Sequence, residues 1–296
     1  MRPFAIPRYL AETAAREPGL RDWLLGLPAE VAHFAELWSL RVGEPFQPGG
    51  QCAWVAPATD RSGADLVLKV GFGFPGGEER DEAAGLRVWA GNGAVRLHAA
   101  CTTRSTRALL IERCRPGTRL GAALPEPEQD EVVAALLRKL WAKASGDYPF
   151  RALADMCDAW AAEFEADYAT ASPAEQVDPG LARAGTALLR ELPGTADVAV
   201  LLCTDLHGDN ILAAQRAPWL VIDPKPYLGD PAYDVVQHML NCEERLTPDP
   251  AALADRMAGL AGLDAGRVRQ WLFARCVHAS VGSPEMRQVA ARIAPA

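Results

Sequence analysis

The sequence predicts an α+β protein with two lobes, a small mixed lobe built on an antiparallel sheet and a mainly helical lobe after it. Two patterns carry this prediction. Over residues 39–112, short apolar runs alternate with turn-rich segments, which is typical of antiparallel strands. After a break at residues 113–117, long stretches carry apolar residues at helical spacing. We therefore expect the first lobe at residues 1–113 and the second at residues 114–296.

The first lobe opens with helical periodicity over residues 8–40, where Pro28 is expected to restart the helix at its first turn. A second helix is expected over residues 78–90, because its acidic first turn suits the helix dipole. Strands fill the rest of this lobe, three over residues 39–70 and an antiparallel pair at 94–101 and 106–112.

The second lobe is expected to be helical apart from one hairpin-like stretch over residues 199–222. Asp230 and Pro231 predict the start of a helix that runs over residues 232–246, since Asp is a favoured N-cap and Pro a favoured first residue. Further helices are expected over residues 126–145, 151–170 and 178–191, with two or three more before the end of the chain.

The segment Leu201–Leu212 carries the chemistry of the second lobe. An apolar run leads to Asp205, Asn210 follows five residues later, and a second apolar run leads to Asp223. These three side chains could meet at the ends of neighbouring short strands. An acid that can take a proton, together with an amide and a carboxylate that offer hard oxygen ligands, is typical of Mg²⁺-dependent phosphoryl transfer.

Lys69 is the first of only four lysines in the chain, and it lies inside an apolar strand. A lysine in that position either needs a charged partner or lies exposed on an edge strand. Glu82 is the acid best placed to turn inward, because Leu86 and Trp89 follow on the same face of its predicted helix.

Two rival motifs overlap these segments. Gly71–Gly76 fits the pattern GxGxxG, but Pro75 interrupts the place where a dinucleotide-binding helix should begin, so we reject that interpretation. Thr204–Asp209 is close to the GDxHG motif of metallophosphoesterases. Only His238 and His278 follow His207, and neither has the required context, so His207 is expected to pack the loop rather than bind a metal.

The joint order of these motifs resembles the protein-kinase-like fold and, within it, the aminoglycoside phosphotransferases. The chain is most similar to the group that contains streptomycin 6-phosphotransferase and hydroxyurea phosphotransferase. The residues that carry the resemblance are Gly85–Trp89, Gly93–Leu97, Leu110–Arg113, Asp205–His207 with Asn210–Leu212, Ala217–Pro226 and Gly229–Asp234.

The resemblance implies a nucleotide site in the first lobe. Lys69 would hold the α- and β-phosphates of ATP or GTP, with Glu82 as its ion-pair partner. Gly49 and Gly50 would form a turn over the phosphates. Glu112–Cys114 would form the hinge that hydrogen-bonds the base through backbone groups.

The resemblance also implies the catalytic residues of the second lobe. Asp205 would orient the acceptor hydroxyl and take up its proton, while Asn210 and Asp223 would hold Mg²⁺. Asp230 is expected to order the loop around Asp205. Lys225 could reach a phosphate or lie on the surface.

Two residues before Asp205 depart from the family pattern. The family usually has His two residues before this acid, where the chain has Cys203, and Gly directly before it, where the chain has Thr204. The missing His generally supports the loop structurally. Its absence motivates the alternative of a catalytically weak, pseudokinase-like protein that binds nucleotide or ligand.

Composition limits the partners. The net charge is −8, and residues 116–296 hold 25 acidic against 16 basic residues, which disfavours nucleic acid and suits a cationic small molecule. Seven scattered cysteines without a CxxC pair argue against disulfides and zinc. No apolar run reaches ~18 residues and no signal-peptide core opens the chain, so we expect a cytoplasmic protein without membrane contact, as a monomer or weak dimer.

The sequence therefore predicts an ATP-dependent phosphotransferase that acts on a hydroxyl of a small cationic molecule, an aminoglycoside such as streptomycin, in antibiotic resistance. One alternative is a kinase of a metabolite or of a hydroxyurea-type molecule. The other is the pseudokinase-like binding protein. Acceptor specificity depends on variable helices and loops, so the sequence does not separate the first two.

Overall fold

The computed structural model describes residues 4–73, 81–141 and 150–295. The chain divides into two compact units. The first comprises Met1–Gly117 with Ala214–Arg216, and the second comprises Thr118–Ala213 with Ala217–Ala296. Among the described residues, no helix has the length and apolar character that crossing a membrane requires.

The first unit is built on a five-stranded antiparallel sheet, as predicted. The strand order is β1-β2-β3-β5-β4, so β3 is the central strand. A register irregularity between Leu97 and Ala99 interrupts the pairing of β4 with β5. The strands are β1 Arg41–Val42, β2 Ala53–Thr59, β3 Asp65–Phe72, β4 Leu97–Thr102 and β5 Thr106–Glu112.

In the described part of this unit, the helices that accompany the sheet are α1 Arg8–Arg16, α2 Pro18–Leu37 and α3 Glu82–Trp89. The helical periodicity of residues 8–40 is therefore broken at Glu17, with Pro18 as the first residue of α2. The prediction that Pro28 restarts the helix is wrong, because Pro28 lies inside α2. The buried face of α2 joins the core of the sheet, where the Trp23 Nε1–H donates to Thr106 Oγ1 at 2.9 Å. The predicted start of α3 at residues 78–80 lies outside the described residues.

The second unit is mainly helical, as predicted. The prediction of a single helix over residues 232–246 is wrong, because the chain there forms three short helices. The end of the first predicted helix, residues 142–145, lies outside the described residues. The helices are α4 Leu120–Ala123, α5 Glu126–Leu140, α6 Leu153–Thr170, α7 Pro179–Glu191, α8 Pro231–Asp234, α9 Val236–Leu240, α10 Glu243–Leu246, α11 Pro250–Ala261, α12 Ala265–His278 and α13 Pro284–Ile293.

Two antiparallel strand pairs carry the motif of the second unit. β6 (Val200–Leu202) pairs with β9 (Tyr227–Gly229), and β7 (Ile211–Ala213) pairs with β8 (Trp219–Val221). The predicted single hairpin over residues 199–222 is therefore wrong. The two apolar runs that lead to Asp205 and Asp223 lie in different pairs, and no pattern in the sequence predicts β9.

Candidate active site

The predicted site residues fall in two groups. Lys69, Glu82, Gly49, Gly50, Glu112 and Cys114 belong to the first unit, whereas Asp205, Asn210 and Asp223 belong to the second.

Asp205 lies in a tight loop that directly follows β6. The residue before it, Thr204, is buried and has φ of 55°, in the left-handed region that β-branched residues rarely adopt. Both backbone N–H groups before Asp205 are held by one carboxylate: those of Cys203 and Thr204 donate to Asp234 at 2.9 and 2.7 Å. This carboxylate therefore fixes the loop that presents Asp205.

The prediction that Asp230 orders this loop is wrong. Asp230 caps α8 by accepting from the Ala232 N–H at 2.9 Å, and its other oxygen accepts from Arg267 and from Trp271. Asp234, one helical turn later, is the residue that reaches the loop, and it also accepts from Trp141 Nε1 at 3.0 Å. Burial raises the pKa of Asp234 to about 6, against the lowering effect of these hydrogen bonds.

Asn210 and Asp223 are brought together by the pairing of β7 with β8. Ile211 lies opposite Val221, and the Ile222 N–H donates to the Asn210 carbonyl at 2.9 Å. The Asn210 Nδ2–H donates to the Asp205 carbonyl at 2.9 Å, so its Oδ1 is the amide atom left for another partner. An amide oxygen and a carboxylate on facing strand ends are a donor set that fits a hard divalent cation.

Cys203 supports the loop with its backbone. Its carbonyl accepts from the N–H groups of Asp205 at 2.8 Å and Lys225 at 3.0 Å, while its side chain is 1% exposed. Burial, followed by the nearby carboxylates, raises the pKa of the Cys203 thiol well above its usual range, so the thiol stays neutral. At the position that usually carries His, the backbone of Cys203 therefore holds the loop without an imidazole side chain.

Lys225 contacts the predicted catalytic acid. Its Nζ lies 2.9 Å from Asp205 Oδ2, and the two side chains are 32% and 21% exposed. The sequence predicts a phosphate contact or a surface position for Lys225, and it does not predict this ion pair. The only signal available in the sequence was that Lys225 follows two residues after Asp223.

Lys69 and Glu82 form the ion pair that the sequence predicts, with Nζ 2.7 Å from Oε2. Lys69 lies on the central strand of the sheet, with Val55 and Leu109 opposite it on the two neighbouring strands. The alternative of an exposed lysine on an edge strand is therefore wrong. Glu82 is the first residue of α3 and is 3% exposed, so the helix presents its carboxylate to the sheet.

The turn at Gly49 and Gly50 depends on glycine at its first position. Gly49 has φ of 82°, and a Cβ there would lie 2.3 Å from Pro7 Cβ. The N-terminal segment also holds the turn by hydrogen bonds, because the Tyr9 N–H donates to the Pro48 carbonyl at 3.1 Å. Gly50 has no such constraint, since a Cβ there would meet only the Ala53 carbonyl at 3.5 Å.

The Glu112 side chain is occupied by structural contacts. Its carboxylate accepts from Arg216 at 2.8 and 2.9 Å and from the Arg96 N–H at 3.0 Å. Burial opposes ionisation, but these donors outweigh it and lower the pKa of Glu112. The Glu112 N–H donates to the Arg96 carbonyl at 2.9 Å, so this backbone group is paired as well. Burial raises the pKa of the nearby Cys114 thiol to about 11, so this thiol is neutral.

His207 packs the loop, as predicted, and its Nδ1 accepts from the Asp209 N–H at 3.4 Å. Within the described ranges, the one cluster of His, Cys and acidic side chains with metal-like spacing is Asp130, His238 and Cys242. Asp130 already accepts from Arg245 and Arg256, so this cluster is an ion-pair network. The His-rich dinuclear site of a phosphoesterase is not present in the described part of the chain.

The chain matches one family of known proteins over most of its length. A family model described as "Aminoglycoside/hydroxyurea antibiotic resistance kinase" matches residues 41–285. Hydroxyurea phosphotransferase of Kitasatospora aureofaciens is 33% identical over 292 residues, which cover 96% of this chain and 82% of that relative. Streptomycin 6-kinase of Streptomyces griseus is 33% identical over 278 residues, which cover 91% of this chain and 88% of that relative.

A solved kinase structure shares the fold of this chain. Amicoumacin kinase, solved with AMP-PNP and Ca²⁺, superimposes with a TM-score of 0.59 at 14% identity, over 85% of this chain and 86% of that one. At this identity the likeness concerns the fold alone. The chain therefore belongs to the aminoglycoside/hydroxyurea antibiotic resistance kinase family, and it is a small-molecule phosphotransferase with a protein-kinase-like fold.

Proposed function

We propose that this protein transfers the γ-phosphoryl group of ATP to a hydroxyl group of a small cationic acceptor, an aminoglycoside such as streptomycin. The observation that carries this proposal is the loop of the second unit. It holds Asp205 by backbone hydrogen bonds to Asp234, and it lies beside Asn210, directly before β7, with Asp223 just past the end of the paired strand β8.

The first unit would bind the nucleotide. Lys69 would pair with the α- and β-phosphates, and Glu82 would orient its ammonium group, as their 2.7 Å contact allows. The turn at Gly49 and Gly50 would cover the phosphates, and backbone groups of Glu112–Cys114 would bind the base. The amicoumacin kinase structure contains a nucleotide analogue, which supports a nucleotide donor but does not separate ATP from GTP.

Asn210 and Asp223 would hold Mg²⁺. The divalent cation in the amicoumacin kinase structure and the oxygen donors of these two residues both support this assignment. Mg²⁺ bound there would neutralise charge on the phosphoryl oxygens. The hydrogen bond from Asn210 Nδ2 to the Asp205 carbonyl couples the position of the metal ligand to that of the acid.

Asp205 would act on the acceptor. Its carboxylate accepts the hydroxyl hydrogen bond and takes up the proton as the acceptor oxygen forms its bond to the γ-phosphorus. The bond from that phosphorus to the bridging oxygen breaks, and its electron pair leaves with the nucleoside diphosphate. The protein's main contribution is to position these groups, since phosphoryl transfer needs little covalent participation by side chains.

The acceptor has two candidates with different charge. Streptomycin is cationic, which suits the excess of acidic residues after residue 116, and a streptomycin 6-kinase is 33% identical to this chain. Hydroxyurea is neutral, and a hydroxyurea phosphotransferase is also 33% identical. A hydroxyurea-type molecule or a metabolite is therefore the second candidate.

The pseudokinase-like alternative loses its main motivation. This alternative rests on Cys203, which replaces the usual His and would weaken the loop if that side chain were needed to support it. The backbone of Cys203 makes three hydrogen bonds within this loop network, to Asp234, Asp205 and Lys225. A loop held in this way supports catalysis, so we propose an active enzyme.

A panel assay tests the proposal. The purified protein is incubated with ATP and MgCl₂ and with streptomycin, other aminoglycosides or hydroxyurea, while ADP release and phosphorylated product are measured. We expect turnover with streptomycin, and omission of MgCl₂ should abolish it. Turnover with hydroxyurea alone would shift the assignment to the second candidate, and nucleotide binding without any turnover would favour the pseudokinase.

Asp205→Asn tests the assignment of the acid. We expect kcat to fall by about 10³-fold or more, because the proton acceptor and its charge are both lost. Nucleotide affinity, measured by calorimetry with Mg-ADP, should stay within about threefold, an energy difference of ~0.6 kcal/mol. Asp209→Asn makes the same change on an exposed carboxylate of the same loop and should retain activity. Equal activity of the two variants would show that another residue accepts the proton.

A further inference from the structure

The backbone around Lys225 is attached to the loop that presents Asp205. The Lys225 N–H donates to the Cys203 carbonyl at 3.0 Å, and the Thr204 hydroxyl donates to the Lys225 carbonyl at 2.5 Å. The two residues before Asp205 therefore bind the Lys225 backbone at both its N–H and its carbonyl. This attachment fixes where the lysine side chain starts.

The ammonium group of Lys225 reaches the carboxylate of Asp205. Nζ lies 2.9 Å from Oδ2, within the range of a charge-assisted hydrogen bond. Both side chains are partly buried, so solvent screens the pair less than it screens a surface ion pair.

The described contacts of the Asp205 carboxylate involve one of its two oxygens, Oδ2. Lys225 Nζ binds Oδ2 at 2.9 Å, and Asn210 Nδ2 lies 3.5 Å from the same atom. Within the part of the chain that the structure describes, Oδ1 takes no hydrogen bond, so it is the oxygen left for the acceptor hydroxyl. The ion pair with Lys225 thus makes the two oxygens of the Asp205 carboxylate different from each other.

We propose that Lys225 is a positioning residue for phosphoryl transfer, which fixes the Asp205 carboxylate through Oδ2 so that Oδ1 receives the acceptor proton. This inference rests on the proposed function. The ammonium group also offsets the negative charge that Asp205 brings next to an anionic phosphoryl group. When Oδ1 takes the proton, Asp205 becomes neutral, and the positive charge of Lys225 remains beside the newly phosphorylated oxygen.

The first test is kinetic, with Lys225→Met, Lys225→Arg and the control Lys139→Met on an exposed position of α5. We expect Lys225→Met to lower kcat for streptomycin by about 100-fold, as removal of one preorganised charged donor does, with the KM values within about threefold. Lys225→Arg should restore at least a tenth of the wild-type kcat, since it keeps a cation. Lys139→Met should match the wild type.

The outcomes separate the two proposals. If the wild-type protein is active and the kcat of Lys225→Met lies within threefold of the wild-type kcat, the inference is overturned and the proposed function stands. Equal loss in Lys225→Met and Lys225→Arg, together with a lower melting temperature, also overturns it, because that is the result of a purely structural role. A wild type inactive on every acceptor of the panel overturns the proposed function and this inference together.

The second test observes the ion pair without turnover. The chain has four lysines, so protein labelled with ¹³Cε-lysine gives four side-chain signals. The signal that Lys225→Met removes should shift in Asp205→Asn, while that of Lys139 should not. An unshifted Lys225 signal in Asp205→Asn would show that the pair is absent in solution and would overturn the inference.

Discussion

Thr204 holds a backbone conformation that costs free energy. A β-branched residue at φ of 55° is destabilised by roughly 1–2 kcal/mol relative to glycine. Two contacts offset this cost: the Thr204 N–H donates to Asp234, and its hydroxyl donates to the Lys225 carbonyl. The hydroxyl is the contact that a glycine at this position would lack, so threonine links Lys225 to the loop before Asp205.

Substitutions of Thr204 separate these two effects. Thr204→Val keeps the shape and the strain but loses the hydroxyl, so we expect the free energy of unfolding to fall by about 1–3 kcal/mol. Thr204→Gly also removes the strain and should cost less than Thr204→Val, while Thr204→Ser keeps the hydroxyl and should stay close to the wild type. Urea unfolding of the set measures this. A Thr204→Val variant as stable as the wild type would mean that the hydrogen bond contributes nothing.

At the residue scale, the sequence predicts side-chain contacts between elements whose periodicity is clear. Lys69 stands out as a lysine among the apolar residues of its strand, and Glu82 as the inward acid of a helix. Asp234 could not be chosen over Asp230 from the sequence, because both occur in one Asp-Pro-Ala-Tyr-Asp segment. Which of them reaches the loop depends on the direction in which α8 leaves β9, and that is a tertiary property.

At the element scale, α7 and α12 approach each other closely at one glycine. A Cβ on Gly185 of α7 would lie 2.5 Å from Val277 Cβ of α12. Gly259 of α11 is the opposite case, since its position in the helix is exposed and a Cβ there would meet none of the described residues within 4 Å. The same substitution should therefore have opposite effects at the two sites.

We expect Gly185→Ala to lower the free energy of unfolding by about 1–3 kcal/mol through overpacking. Gly259→Ala should raise it by about 0.5–1 kcal/mol, because alanine favours the helix. Chemical denaturation of both variants measures the difference.

The double variant Gly185→Ala/Val277→Ala provides the control for the helix contact. Removal of the Val277 methyl groups frees the space that the new Cβ needs, so the second substitution should cost less in the Gly185→Ala background than in the wild type. Additive costs would show that the two side chains do not interact.

The long strands of the first unit could be predicted from the sequence, whereas the short strands of the second could not. β2, β3 and β5 have seven or eight residues with apolar character and flanking turns. β6 and β9 have three residues each, too few to show a period, and 24 residues separate the end of β6 from the start of β9. Their pairing depends on the tertiary structure, so the sequence pattern alone predicts a single hairpin here.

At the scale of the whole molecule, two buried acids give the stability opposite responses to pH. Burial raises the pKa of Asp234 to about 6. Burial also opposes the ionisation of Asp130, but hydrogen bonds from His238, Arg245 and Arg256 outweigh it and hold the pKa of Asp130 well below its usual range. The folded protein therefore binds a proton at Asp234 more readily, and at Asp130 less readily, than an unfolded chain whose Asp pKa is about 3.9.

The sign of each contribution follows from proton binding. Between about pH 4 and pH 6 the folded state holds the extra proton of Asp234, so this residue makes stability fall as pH rises through that window, by roughly 3 kcal/mol in total. Asp130 contributes stability above about pH 4 that is lost as pH falls further. Asp234→Asn should remove the first slope and Asp130→Asn the second, as measured by urea unfolding from pH 3 to pH 8. An unchanged slope between pH 4 and pH 6 in Asp234→Asn would contradict the raised pKa.

Chain connectivity has a consequence for the exchange of parts between relatives. The turn Ala214–Arg216 joins β7 to β8, yet it belongs to the first unit, where Arg216 donates to Glu112 and to the carbonyls of Gly91 and Ala94. A chimera cut once, at Gly117, would combine this arginine from one parent with its acceptors from another. The first unit is therefore transferable between family members only as two segments, with Ala214–Arg216 inherited from the same parent as Glu112.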